Sequence, residues 1–324
     1  LKTLLPLVTD KNHHRICFCT DDRQPADLLD EGHIDFMIRT AISEGIDPVV
    51  AIRMATLNPA QYFRLYDRGA IAPGRRADLV AFEDLDAPRP HLVIRGGSLV
   101  ASDGRMTVPR SKRPSFPLRS TMNINWERLD FSIPGAGTEA RVIGIVPDQL
   151  VTRHLTEKIL IRNGLAVADP ERDILKMVVI ERHRASGTIG KGFVKGFGLR
   201  RGALASSVAH DHHNLIVIGA DDRSMETAAR RAAAIGGGLI VAEGETVSAE
   251  VPLRLGGLMS EEPIHEVRRQ LDRALEQAAS LGSPLHDPFM AMSFLALEVI
   301  PSLKLTDLGL IDVDRFERVD LWVN

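Results

Sequence analysis

The chain is predicted to be a mixed α/β protein in three parts, on three observations. A short apolar run, Ile16 to Cys19, ends in paired carboxylates, Asp21 and Asp22, and passes through a loop into helices. That strand–loop–helix order is how a (β/α) barrel presents catalytic groups at its C-terminal face. A turn-rich passage, Gly69 to Gly74, then introduces short runs that suit a small β unit. Beyond it, buried-strand patterns alternate with amphipathic helices, which predicts an α/β or α+β layer domain. The expected boundaries are 1–66 for the end of a barrel, 67–108 for the β segment, 109–117 for a basic, proline-containing linker and 118–324 for a C-terminal domain.

Composition bounds the function. With 324 residues the chain suits two or three domains, at about 150 residues each. A 44% hydrophobic fraction supports a sizeable core. A net charge of -3 and only 5% aromatic residues argue against a nucleic-acid surface. No signal peptide or membrane-length apolar run is visible, so a cytoplasmic location and no membrane partner are expected. The only cysteines, Cys17 and Cys19, fall on one face of the first run and are poorly placed to bridge each other. They are expected as reduced core residues. Leu1 opens in mid-pattern without a methionine, which suggests a fragment or a processed product.

The elements follow in order. After the acidic stretch Ala26 to Glu31, the residues Ile34, Met37, Ile38, Ala41 and Ile42 recur at helical spacing, and Gly45 ends the helix. Asp47-Pro48 starts a second helix, with proline at the first helical position, and Asn58-Pro59 opens a third. Ala77 to Phe82 reads as a strand, and His91–Arg95 with Ser98–Val100 as a hairpin around Gly96-Gly97. In the C-terminal part, Val142–Val146, Met177–Ile180, Leu215–Gly219 and Gly238–Val241 read as buried strands. Ser224 to Ala234 reads as a helix with Ser224 as its N-cap and Gly236 as its stop. Ile264 to Leu281 is a longer helix with Val267, Leu271 and Leu275 on its apolar face. Gly187, Gly190 and Gly192 lack the strand–turn–helix setting of a phosphate loop.

Two clusters carry chemistry. Asp21 and Asp22 stand at a strand end, as catalytic carboxylates or as solvated acids before a helix. Ala209-His210-Asp211-His212-His213 precedes a buried strand. Its three imidazoles are candidate metal ligands, with His210 and His212 projecting together from an extended chain. The alternative is a polar loop whose side chains hydrogen-bond locally. His154, His183, His265 and His286 are read as surface or satisfied core residues.

The run Ala51 to Leu65, followed by Arg68 to Gly74 and Ala77-Asp78-Leu79-Val80, resembles the amidohydrolase superfamily. There an N-P-A…G-x-I-x-P-G-x-x-A-D-L-V passage leaves the last barrel helix and completes a small β-sandwich. Cys17 to Arg23, Glu31 to Asp35 and the large tail resemble its adenine deaminase family in particular. So do Gly196–Leu199, Ala205–His213, Leu258–Ser260, Asp287–Phe289 and Leu303–Asp307. The resemblance spans essentially the whole chain and implies the end of a (β/α)8 amidohydrolase barrel, a β-sandwich segment and a deaminase-type C-terminal domain. It implies hydrolysis of adenine to hypoxanthine and ammonia at a divalent metal, manganese or iron ahead of zinc. Asp21 becomes the first choice for metal ligand and proton shuttle and Asp22 the second; His210, His212 and His213 remain further candidate ligands. A homodimer is expected. The family's His-x-His pair, bridging acid and later metal histidines belong upstream of Leu1, so these residues alone are expected to be inactive. The competing readings are another amidohydrolase acting on a cyclic amide and a non-catalytic structural or oligomerisation module.

Overall fold

Local chemistry sets the helices of the first part. The computed structural model describes residues 1–109 and 119–323, and the chain divides into two units, Leu1–Ser115 and Phe116–Asn324. In the first unit α1 spans Pro25–Asp30, α2 Ile34–Ser43, α3 Pro48–Ala55 and α4 Leu57–Tyr62. The Asp47 side chain accepts from the backbone N–H groups of Val49 and Val50, so the α3 start combines a carboxylate cap with Pro48 in the first turn. Leu5, Ala41 and Ala51 form a small buried cluster against which Val8, Phe18 and Ile38 pack. Four antiparallel strands follow in the order β1 Leu79–Ala81, β2 Leu92–Arg95, β3 Ser98–Ser102 and β4 Arg105–Met106. The β2–β3 turn is made by Gly96 and Gly97 at φ 57° and 83°, a left-handed pair that glycine alone adopts without steric cost.

Two expectations for this unit are corrected. Ile16–Cys19 is extended but belongs to no strand: Phe18 donates to the Met54 carbonyl at 3.1 Å, and no strand among the described residues pairs with the run. Cys17 and Cys19 are accordingly exposed rather than core residues, because an unpaired extended segment buries only the side facing α3. No closed barrel forms among the described residues. The linker expected at 109–117 lies, apart from Pro109, outside the described residues.

The second unit is built on an eight-stranded sheet. Its strands are β5 Glu139–Ile145, β6 Thr152–Lys158, β9 Ile174–Ile180, β10 Ile189–Lys195, β11 Ala203–Ser206, β12 Leu215–Gly219, β13 Gly238–Glu243 and β14 Thr246–Pro252. The strands β7 Leu160–Arg162 and β8 Leu165–Val167 form a separate ribbon. The order is β14-β13-β11-β12-β9-β10-β5-β6, antiparallel throughout except for the parallel pair β5 and β10. Mostly antiparallel pairing places this domain on the α+β side of the sequence expectation. β9 is buried along its whole length, and alternation sends its side chains to two separate cores. Leu175, Met177 and Val179 face one side, with α6 Ile264–Ser280 and α7 Pro288–Phe294, whereas Val178 and Ile180 face α5 Asp222–Ala234. A three-stranded sheet, β15 Leu303–Thr306, β16 Gly309–Asp312 and β17 Glu317–Val319, lies on the α6 side through Leu303, Leu305 and Leu310.

The cap of α5 is also corrected. Asp221 is the N-cap and its carboxylate accepts from Ser224 N–H at 2.8 Å, placing Ser224 within the first turn. The α6 face buries Leu271, Ala274 and Ala278, with Val267 and Leu275 partly buried beside them. Among the described residues no helix is long and apolar enough to cross a membrane.

Candidate active-site residues

The first candidate cluster is held in place by a residue that the sequence marks as a helix opener and as part of the N-P-A passage. Asn58 is buried in α4, and its side-chain amide donates to the carbonyls of His13 (2.7 Å) and Ile16 (2.8 Å). Its carbonyl oxygen accepts from Arg53 at 3.2 Å. The extended run is thus tied to α4 at its start and to α3 through Phe18. The N-P-A signature was visible in the sequence; that its amide reaches 42 to 45 residues back was not.

At the end of this run Thr20 shares a hydrogen bond with the His33 Nε2 at 3.2 Å, and Asp21 follows at φ 55°. A non-glycine residue in the left-handed region is uncommon, although aspartate tolerates it better than most. Asp21 and Asp22 are both exposed. Arg23 pairs with Glu31 and lies 4.7 Å over the Phe36 ring, which fixes the exit from the aspartates into α1. Asp35 accepts from His33 N–H at 2.8 Å and from Arg39 at 2.6 Å. Burial pushes the Asp35 carboxyl up, but these bonds outweigh it and hold it below the ordinary range. Beside the aspartates a hollow of about 560 Å³ is lined by Leu5, Ile16, Phe18, Phe36 and Met54, with Thr20 and Arg23 as its polar members.

The second cluster is a loop between β11 and β12. His212 uses both ring nitrogens: Nδ1 accepts from Asn214 N–H at 3.0 Å, so Nε2 carries the proton and donates to the Ala296 carbonyl at 3.0 Å. Asn214 in turn donates to Asp307 at 3.1 Å. The His210 ring stacks on Phe294 at 4.5 Å and lies 6.0 Å from the His213 ring. Ala209 N–H approaches His213 Nδ1 at 3.4 Å. Burial, the neighbouring His210 and Arg182, and His212 lower the His213 pKa against a smaller opposing effect of Asp211. His183, exposed after β9, donates to the His212 carbonyl at 2.8 Å.

Two residues at the end of β9 organise the surroundings, and the sequence reading missed both. Burial acts to raise the Glu181 carboxyl, but the backbone N–H groups of Ser186, Arg184 and His183 hold it below the ordinary range. Arg182 is buried and donates to the carbonyls of His213, Thr121 and Gly256. A Glu-Arg pair closing an apolar strand was the available signal. Among the described residues no three histidine, cysteine, aspartate or glutamate side chains are grouped to hold a metal ion.

Residues 149–317 match the adenine deaminase C-terminal domain, more than half of the chain. The chain belongs to that family. Residues 3–100 match the amidohydrolase family. An adenine deaminase of Desulfatibacillum aliphaticivorans is 51% identical over 99% of the chain and 57% of the relative's own length. Adenine deaminases of Dehalococcoides mccartyi and Methanothrix thermoacetophila are 46% and 45% identical over 98% and 100% of the chain, each covered over 56% of its length. The chain therefore spans about half the length of the curated relatives it matches. The likeness runs continuously from the aspartate segment through the histidine loop.

Proposed function

We propose that this chain serves the hydrolytic deamination of adenine to hypoxanthine and ammonia, with Asp21 as its principal catalytic group. The observation that carries the reading is the 51% identity over 99% of the chain to a protein named adenine deaminase. Residues 1–66 would supply the paired carboxylates at the end of the extended run, 67–108 the β-sandwich segment and 118–324 the deaminase-type C-terminal domain. Deamination replaces an exocyclic amine by oxygen: water adds to the ring carbon, and the amine leaves as ammonia. Asp21 suits the proton traffic because its carboxylate is exposed and follows Thr20, which lines the apolar hollow. Its carboxylate takes a proton from the attacking water and returns it to a ring nitrogen or the leaving amine. Asp22 stands next to it as an alternative for the same role.

Amidohydrolases are typically metal-dependent, and a divalent ion, manganese or iron in this proposal, lowers the pKa of water towards about 7. Asp21 fits such an ion as a carboxylate ligand. The described residues do not complete a coordination sphere, and His212, with both nitrogens engaged, does not fit as a ligand. The test is ammonia release from adenine by the full-length gene product, with and without chelator, in wild type and Asp21→Asn. Undiminished release in the variant would remove Asp21 from the mechanism; no release by the wild type would remove the reaction.

A non-catalytic structural or oligomerisation role for the second unit is a separate reading, favoured by its own two-sided core around β9. Sedimentation of the full-length protein at several concentrations tests the homodimer that this role requires.

A further inference from the structure

Arg182 is a buried cation at the end of β9. Its guanidinium is 1% exposed, and the groups it bonds are three backbone carbonyls from three separate segments, not a carboxylate. Burying a charge without a counter-charge costs several kcal/mol, so an apolar side chain would fill the same space more cheaply. What the charge achieves is local: it fixes the His213 carbonyl at 2.5 Å and ties it to Thr121 and to the Gly256 turn. Gly257 leaves room for this, since a Cβ there would stand 2.9 Å from the guanidinium nitrogens.

The loop so held presents a specific set of groups. His212 is spent on the backbone. His213 stands at φ 49°, a conformation that persists only when its surroundings enforce it. With Nδ1 turned to Ala209 N–H, the neutral His213 ring carries its proton on Nε2, which has no partner among the described residues. His210 and Phe294 lie beside it as stacked rings, 25° apart in plane, and the His213 plane is tilted 62° from that of His210. A flat stacking surface with a ring N–H set across it matches an aromatic ligand that has a nitrogen acceptor in its own plane.

We propose that the His210–His213 loop is a metal-free contact site for a flat, uncharged nitrogen heterocycle, with His213 Nε2–H as the donor and Arg182 as the residue that positions it. The site rests on the deaminase reading in taking adenine as the natural probe. Arg182 acts through His213 and is not itself in contact with the ligand.

The experiment uses the full-length gene product as wild type, His213→Ala, His213→Gln, Arg182→Met and Arg182→Lys. Bound metal, the unfolding midpoint, and kcat and KM for adenine are measured on each. The expected result is unchanged metal content in every variant and a KM raised about tenfold in His213→Ala, the loss of one hydrogen bond to the ligand. His213→Gln, which keeps an N–H donor, recovers part of that loss. Arg182→Met shifts KM in the same direction, and Arg182→Lys recovers part of it with a matched unfolding midpoint. Loss of metal with the histidine, or a KM within about twofold of wild type in folded His213→Ala, overturns the proposal while leaving the reaction intact. If the wild type releases no ammonia, the deaminase reading falls by itself. Equilibrium dialysis of adenine then decides the loop: binding about tenfold weaker in His213→Ala supports it, and equal binding overturns it.

Discussion

Lys304 shows how far a single buried group can colour the behaviour of the protein. It is fully buried in β15 and donates to the carbonyls of Leu150 and Phe294, both at 2.9 Å, and burial pushes its pKa from 10.5 down to about 8. Below pH 8 the ammonium is charged in the folded and unfolded states alike, and the cost of burying it is carried in full. Between about 8 and 10.5 the unfolded chain binds more protons, so stability rises with pH across that window, by up to about 3 kcal/mol. Denaturant titrations at pH 7.5 and pH 9.5 check this, roughly spanning the lower part of the shift; Lys304→Met should flatten the difference. Asn58→Ala belongs to the same scale. It strips partners from the His13 and Ile16 carbonyls and from Arg53, a loss of about 1–3 kcal/mol. On the proposed function, ammonia release from adenine by the full-length gene product should fall with it, because the aspartate segment loses its anchor. Wild-type activity in this variant would show that the run is held by other means.

Elements carry the next set of consequences. β10 runs so close to the β15–β16 hairpin that a Cβ on Gly190 would stand 1.8 Å from the Thr306 carbonyl oxygen. Gly190→Ala must push two backbones apart, at a cost of about 1–3 kcal/mol or more, and thermal melting should register it. The close approach accounts for Gly190; Gly187, at φ 76°, instead faces the Arg128 side chain, and Gly190 and Gly192 lie within a strand rather than in a strand–turn–helix loop. The helix α6 depends on Leu271, 5% exposed and packed against the sheet. Leu271→Ala is expected to destabilise the domain by about 2–5 kcal/mol. For α5, Asp221→Ala removes the carboxylate that caps Ser224 N–H, an effect of about 1 kcal/mol.

At the scale of the molecule, the two units differ in how much apolar surface their sheets hide. The eight-stranded sheet is covered on both faces, whereas β1 to β4 are largely exposed or half-buried. Native-state hydrogen exchange should therefore be slowest in β9, β11 and β12 and fast in β1 to β4. Equal protection across both sheets would contradict this.

Much of this was legible from residue order because it rests on local chemistry. Helix periodicity placed α2, α3 and α6, a Gly-Gly pair placed the β2–β3 turn, and continuous apolar runs marked β9, β12 and β13. The family was legible as well, through Asn58-Pro59 and the passage after it. Tertiary structure decided the rest. Whether Ile16–Cys19 is a strand depends on a partner, and periodicity says nothing about partners. β6, β10, β14 and the β15–β17 sheet were missed because polar, glycine-containing or very short strands take their identity from the ladder they join. The histidine loop makes the same point with chemistry. Sequence offered three equivalent imidazoles, and only the fold distinguishes them: His212 bonded at both nitrogens, His210 stacked on Phe294, and His213 held by a buried arginine 31 residues away. A hydrogen bond between distant segments leaves no trace in either segment alone, which is why the role of each histidine had to wait for the structure.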